Sequence, residues 1–293
     1  MSAISPSVGT IEHVGDGPSA AVTSLGVVGY LNTVPLIAGV DRLAIFQMRC
    51  DVPAAQVGML ESGAVDLALC SVIDLVRSTV PLQVVPVGML GCAGQTMTVR
   101  LFSRVPIEKI TRIHCDTDSH TSIALLQVIL QDRGCSQVEL VPFDPSVELT
   151  ADTQESIKDH EALLLIGDKV VTSGMTESSL TYQLDLGEAW FEMTGLPFVF
   201  ATWLCPIEMS TEQQARVCSA ARILDRMRRR NKLRLPQLAT RYAAQYGWPE
   251  NEAQRYLVDL LRYELNEEAL KGMRRFLELA GESTSSVRLL DWA

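Results

Sequence analysis

The chain has 293 residues, 47% of them apolar and 20% charged, with a net charge of −10. That is a globular composition at the length where one hydrophobic core gives way to two. The acidic balance argues against nucleic acid as a partner, because phosphate binding needs basic surface, and an anionic small molecule would need locally placed donors.

No run of about 18 uncharged apolar residues occurs, so no membrane span is expected. Seven scattered cysteines without a CxxC pair predict free thiols and a reducing compartment. Residues 1–24 lack the basic start and apolar core of a signal peptide and are expected to form a loose tail.

Leu25 to Leu31 reads as a short buried strand. Asn32 and Thr33 break the apolar pattern, and Pro35 suits the first turn of a helix. Asn32 therefore reads either as a helix cap or as a side chain facing a ligand at a strand-to-helix corner. The spacing predicts a helix over Ala54 to Ser62, stopped at Gly63, then a buried strand over Val65 to Val72 with Ser71 at its tip. Leu82 to Leu90 is a further apolar run, and Gly94-Gln95-Thr96 leads into a strand from Thr96 to Phe102. A third corner, Asp116 to Ser122, separates a strand at Ile113 to Cys115 from an amphipathic helix over Thr121 to Asp132.

Val138 to Val141 reads as a strand, residues 144–160 as polar and irregular, and Glu161 to Gly167 as a buried strand ending at Asp168. Tyr182 to Gly187 leads into a helical segment to Thr194, followed by a strong strand signal over Phe198 to Leu204. From Ser210 onward four segments carry helical apolar spacing: Thr211 to Asn231, Leu235 to Tyr246, Glu250 to Tyr263 and Glu267 to Ala280. Strands alternating with helices argue for parallel sheets. The expected architecture is α/β in two lobes with a ligand cleft between them and a helical C-terminal part. Lobe 1 comprises 25–102 and 203–293, and lobe 2 (103–202) is inserted. Thr96 to Phe102 and Phe198 to Leu204 would be the two strands crossing between the lobes.

His114 to His120 is rich in metal-ligating residue types but lacks metal-ligand spacing, so no metal is expected. No GxGxxG, GxxxxGK[ST] or GxSxG occurs, which leaves nucleotide-loop and nucleophile-elbow chemistry without support. The basic run Arg226 to Arg234 lies at a helix end, where cations compensate the dipole.

Six motifs, in order, carry a resemblance. They are Gly29-Tyr30-Leu31-Asn32-Thr33-Val34-Pro35-Leu36, Ser62-Gly63-Ala64-Val65-Asp66-Leu67-Ala68-Leu69, Ser119-His120-Thr121-Ser122, Leu165-Ile166-Gly167-Asp168, Asp185-Leu186-Gly187-Glu188-Ala189-Trp190 and Thr194-Gly195-Leu196-Pro197-Phe198-Val199-Phe200-Ala201. Together they resemble the chorismate dehydratases of the futalosine route to menaquinone, over roughly residues 25–280. The resemblance implies a type II periplasmic-binding-protein-like fold and a cytoplasmic enzyme, a monomer or homodimer, working without metal or organic cofactor. It implies that water is lost from dianionic chorismate to give 3-[(1-carboxyvinyl)oxy]benzoate.

That step needs a base for a ring C–H, a donor for the departing hydroxyl and anchors for two carboxylates. Ser71, Thr96, Ser119, Thr121 and Ser122 are the expected anchors, with Tyr30, Thr33, Gln95 and His120 beside the substrate. Asn32 is expected to orient substrate or donate to the leaving oxygen, since a carboxamide is no base near neutrality. The base is Asp168, His120 or the substrate's own enolpyruvyl carboxylate; the lack of an acidic residue in the Asn32 corner favours the last. Two other readings share the fold: a non-catalytic binder of small anions, and 1,4-dihydroxy-6-naphthoate synthase.

Overall fold

The computed structural model describes residues 22–144, 161–173 and 180–292. Residues 1–21 of the expected tail and the expected irregular stretch from 145 to 160 lie outside the described residues. Thr23 and Ser24, assigned to the tail by sequence, instead open the first strand, β1 (Thr23–Val28).

A six-stranded sheet is built from β1, β2 (Phe46–Asp51), β3 (Leu67–Ser71), β4 (Leu82–Cys92), β10 (Phe198–Pro206) and β11 (Leu261–Arg262). Its order is β11-β4-β10-β3-β1-β2. A five-stranded sheet holds β5 (Val99–Ser103), β6 (Arg112–Asp116), β7 (Glu139–Phe143), β8 (Ala162–Ile166) and β9 (Tyr182–Asp185), in the order β7-β6-β8-β5-β9. Neither sheet is all-parallel. β1 runs parallel to β2 and β3, and β6 parallel to β7 and β8. β10 is antiparallel to both β3 and β4, and β5 to both β8 and β9. The strands read from sequence as crossing between lobes do not cross: β5 lies wholly in one sheet and β10 wholly in the other.

The helices are α1 (Val34–Ile37), α2 (Pro53–Glu61), α3 (Asp74–Arg77), α4 (His120–Asp132), α5 (Lys169–Thr172), α6 (Leu186–Thr194), α7 (Thr211–Lys232), α8 (Leu235–Tyr242), α9 (Glu250–Gln254) and α10 (Glu267–Leu279). Four of the longer ones, α4, α6, α7 and α10, start on side-chain caps. Ser210 and Gln213 form a reciprocal capping box at α7, and Asn266 accepts from Ala269 N at α10. The segment read as one helix over Glu250 to Tyr263 changes character part-way: a π-helical turn spans Arg255–Leu260 and β11 follows.

One apolar cluster takes residues from both sheets, including Leu204, Leu125, Leu164, Trp190 and Phe276. Its aromatic centre is Trp190, Phe198 and Phe276, in edge-to-face contact with ring centroids 4.9–6.1 Å apart. This explains the segment from Thr194 to Phe198. Gly195 ends α6 at φ +67, Pro197 lays its carbonyl against Gly272 of α10 where a Cβ would collide, and Phe198 enters the aromatic cluster.

Candidate active site

Of the two readings of Asn32, the corner after β1 does not form the helix cap. The chain passes through a 3-10 turn over Leu31–Thr33 into the four-residue α1, and no side chain caps either element. Thr33 is spent locally: its fully buried hydroxyl closes on the carbonyls of Val28 and Tyr30, each at 2.8 Å. Asn32 is left free to reach across the molecule, where Nδ2 donates to Tyr256 Oη at 3.3 Å.

Between the sheets lies a cleft with a cavity volume of about 50 Å³. Tyr30, Asn32, Ser71, Thr96, Ser119 and Ser122, all predicted from sequence, line it. Thr98 and Tyr256 line it too and were not predicted. Thr98 lies within the strand signal 96–102, where its hydroxyl was the available hint; Tyr256 lies in a segment read as helical packing. Two polar atoms here are buried with no hydrogen-bond partner among the described residues, Asn32 Oδ1 and Ser71 Oγ. Such atoms cost about 1–3 kcal/mol each when left unpaired, so they mark a place where a polar ligand would be stabilised. Ser119 caps α4, accepting from Ser122 N at 3.2 Å, and Ser122 Oγ donates to Ser119 Oγ at 3.0 Å. The α4 N-terminus thus presents hydroxyls and partial positive charge to the cleft.

The other predicted residues lie outside the lining. Gln95 accepts from Arg255 at 2.8 Å near the surface. Thr121 is buried and accepts from Ile73 N at 3.2 Å, tying α4 to the corner after β3. His120 turns into a separate surface pocket with Glu61 and Arg77, where Nδ1 lies 2.7 Å from Asp74 Oδ1. That hydrogen bond raises the His120 pKa, while burial raises that of Asp74 despite the pairing.

Asp168 also misses the lining, although its neighbour Gly167 is part of it. Its carboxylate accepts from Leu31 N at 3.0 Å, and burial pushes its pKa up to about 7 against the pull of that N–H. Beside it, Lys169 Nζ bridges Asp118 and the buried Asp116, at 2.9 Å from the latter. Tyr30 Oη donates to Asp118 at 2.9 Å, and burial with these carboxylates pushes the phenol pKa well up. The acidic residues of the sequence from His114 to His120 therefore serve an ion-pair network, and no metal-holding group of side chains occurs among the described residues.

A family model described as menaquinone biosynthesis matches residues 23–282. The chain belongs to this menaquinone biosynthesis family. Within the family's span, a chorismate dehydratase of Thermus thermophilus is 28% identical over 271 residues, covering 88% of this chain and 94% of the relative. Among solved structures, a protein of Archaeoglobus fulgidus superposes with a TM-score of 0.67 at 15% identity, covering 90% of this chain and 98% of that one. The alkanesulfonate-binding protein SsuA of Xanthomonas axonopodis pv. citri, bound to MOPS, gives 0.64 at 14% identity, covering 92% and 99%. The periplasmic aliphatic sulphonate-binding protein SsuA of Escherichia coli gives 0.61 at 14%, covering 88% and 91%. At these identities the likeness concerns the fold, a two-lobe periplasmic-binding-protein architecture, as the family resemblance implied. No helix among the described residues is long and apolar enough to cross a membrane.

Proposed function

We propose that the protein removes water from chorismate to give 3-[(1-carboxyvinyl)oxy]benzoate, the first step of the futalosine route to menaquinone, and is thus a carbon–oxygen lyase. The observation that carries this reading is the chemistry of the cleft. Its lining among the described residues offers a carboxamide and several hydroxyls, two of their atoms buried without partners, but no carboxylate, imidazole or amine. The family membership and the chorismate dehydratase relative supply the substrate class.

On this reading the ring carbon bearing the enolpyruvyl ether loses its proton. The C–H electron pair becomes the new ring double bond, the neighbouring C–O bond breaks, and the departing oxygen takes up the abstracted proton and leaves as water. Aromatisation drives the step. Neither Asp168 nor His120 lines the cleft, which supports the substrate's enolpyruvyl carboxylate as the base. Asn32 donates to the departing oxygen through the second hydrogen of Nδ2. Ser119 and Ser122 at the α4 N-terminus, with Ser71 and Thr96 opposite, hold the two carboxylates, and Tyr30 closes one side.

We further propose that the two sheets belong to lobes meeting through residues 93–98 and 186–197, and that the enzyme works in the cytoplasm, where its seven free thiols are stable. Incubation with chorismate, followed by ultraviolet absorbance and mass spectrometry, tests the activity. The expected result is loss of the diene and growth of an aromatic product lighter by one water; chorismate left unchanged by folded protein overturns it.

A further inference from the structure

Asn32 does not stand alone at the cleft. Its Nδ2 donates to Tyr256 Oη at 3.3 Å, and Tyr256 Oη lies 2.6 Å from Thr98 Oγ1. The three residues come from the corner after β1, the connection into β5 and the π-helical turn at Arg255–Leu260. Single π turns inside helices are frequent at functional sites. Tyr256 is itself held rigidly: it is fully buried and stacks on Trp248, with ring centroids 4.9 Å apart and planes within 9°.

Burial raises the Tyr256 pKa, so the phenol stays neutral and can both accept and donate. Because it accepts from Asn32, its own proton goes to Thr98. This order leaves Asn32 Oδ1 buried and unpaired among the described residues. The opposite order is equally compatible with the three positions. With the carboxamide turned over, Thr98 donates to Tyr256, Tyr256 donates to Asn32 Oδ1, and both Nδ2 hydrogens become available to a ligand. A hydroxyl that serves either order holds the carboxamide plane in place while its donor edge meets the cleft.

We propose that Tyr256 is the positioning residue of Asn32, acting through the carboxamide, with Thr98 completing the chain. The kinetic part of this proposal rests on the dehydration reading above; the structural part does not.

The test uses the full chain. Asparagine-selective ¹⁵N labelling gives four side-chain amide pairs, since the sequence contains only Asn32, Asn231, Asn251 and Asn266. The Asn32 pair is the one lost in Asn32→Ala. Tyr256→Phe keeps the ring stacking and should move the Asn32 pair while the other three stay in place; an unmoved Asn32 pair overturns the proposal. With chorismate as substrate, Tyr256→Phe should lower kcat by up to about 10²-fold with KM within about twofold, as for a misplaced catalytic group. The double variant Asn32→Ala/Tyr256→Phe should be no slower than Asn32→Ala alone, because both changes break one unit. Effects that multiply would show that Tyr256 acts independently of Asn32 and overturn the proposal. Should Tyr256→Phe fold poorly, Thr98→Val cuts the chain at its other end and carries the same expectations. If the parent leaves chorismate untouched, the dehydration reading falls, while the amide resonances still decide the role of Tyr256.

Discussion

Asp168 Oδ2 accepts a hydrogen bond from the Leu31 backbone N–H at 3.0 Å, across 137 positions of sequence. Leu31 follows β1 in the six-stranded sheet and Asp168 follows β8 in the five-stranded one, so the bond joins the two walls of the cleft. Tyr30 to Asp118, Ile73 N to Thr121 and Asp74 to His120 make the same crossing. Residues that sequence reasoning placed beside the substrate, Asp168, Thr121 and His120, are occupied in holding the walls together.

This contact has a pH signature. The Asp168 carboxyl, raised by burial to about 7, keeps its proton in the folded chain between roughly pH 4 and 7, where the unfolded chain has released it. The contribution is therefore fully present below the unfolded value and is lost as pH rises through about 7, at a slope on the order of 1.4 kcal/mol per pH unit. Asp168→Asn keeps an acceptor for Leu31 and removes the titration. Urea unfolding from mildly acidic to mildly alkaline pH should show a flatter stability profile for the variant; parallel profiles would exclude Asp168 as the titrating group.

Asp185 organises the connection into β5. Its carboxylate accepts from Thr96 N and Met97 N, at 2.9 and 2.6 Å, and from Gly187 N and Glu188 N at the start of α6. It thereby holds Met97 at φ +68, a conformation uncommon for a residue with a side chain. Asp185→Asn would turn an amide N–H₂ against one of these donors. The expected cost is roughly 1.5–3 kcal/mol, the range for hydrogen bonds to charged groups. Chemical denaturation measures it, and a loss under about 0.5 kcal/mol, the size of an ordinary surface substitution, would contradict this organising role of Asp185.

Gly167 shows where the site needs a missing side chain. It sits at φ +70, and a Cβ there would lie 2.7 Å from the Tyr30 ring. Gly134 has a similar φ of +73 but faces open space. Gly134→Ala should cost only the left-handed backbone term, about 1–2 kcal/mol. Gly167→Ala should cost more and weaken ligand binding as Tyr30 is displaced. Equal losses in thermal unfolding would mean that the Tyr30 contact is slack.

Much of the architecture was legible. The apolar runs at Leu82–Leu90 and Phe198–Leu204 fall within β4 and β10, and the polar tips at Ser71 and Ser119 reach the cleft, because strand periodicity and helix capping are local properties. Strand direction was not legible. That β10 returns antiparallel into the first sheet depends on where the chain comes back from the second, which no local pattern records. β2 stayed hidden because it is a half-exposed edge strand with the polar sequence Phe-Gln-Met-Arg-Cys-Asp, paired to β1 alone. Asn32 looked like a cap because its residue type and the following Pro35 fit one; the 3-10 turn at Leu31–Thr33 redirects it. Tyr256 was invisible for a related reason, since helical spacing does not announce a π turn.

The measurement that tests the account most directly is turnover of chorismate by the parent and by Asn32→Asp, with folding checked by thermal unfolding. Asn32 caps no helix, and an introduced carboxylate can still accept from Tyr256, so the variant should stay folded. It cannot donate to the leaving oxygen and repels a dianion, so kcat should fall by at least roughly 10²–10³, as for loss of one preorganised donor. The account predicts a parent that forms 3-[(1-carboxyvinyl)oxy]benzoate and a folded, nearly inactive variant. A folded Asn32→Asp protein that dehydrates chorismate at the parent rate would contradict it.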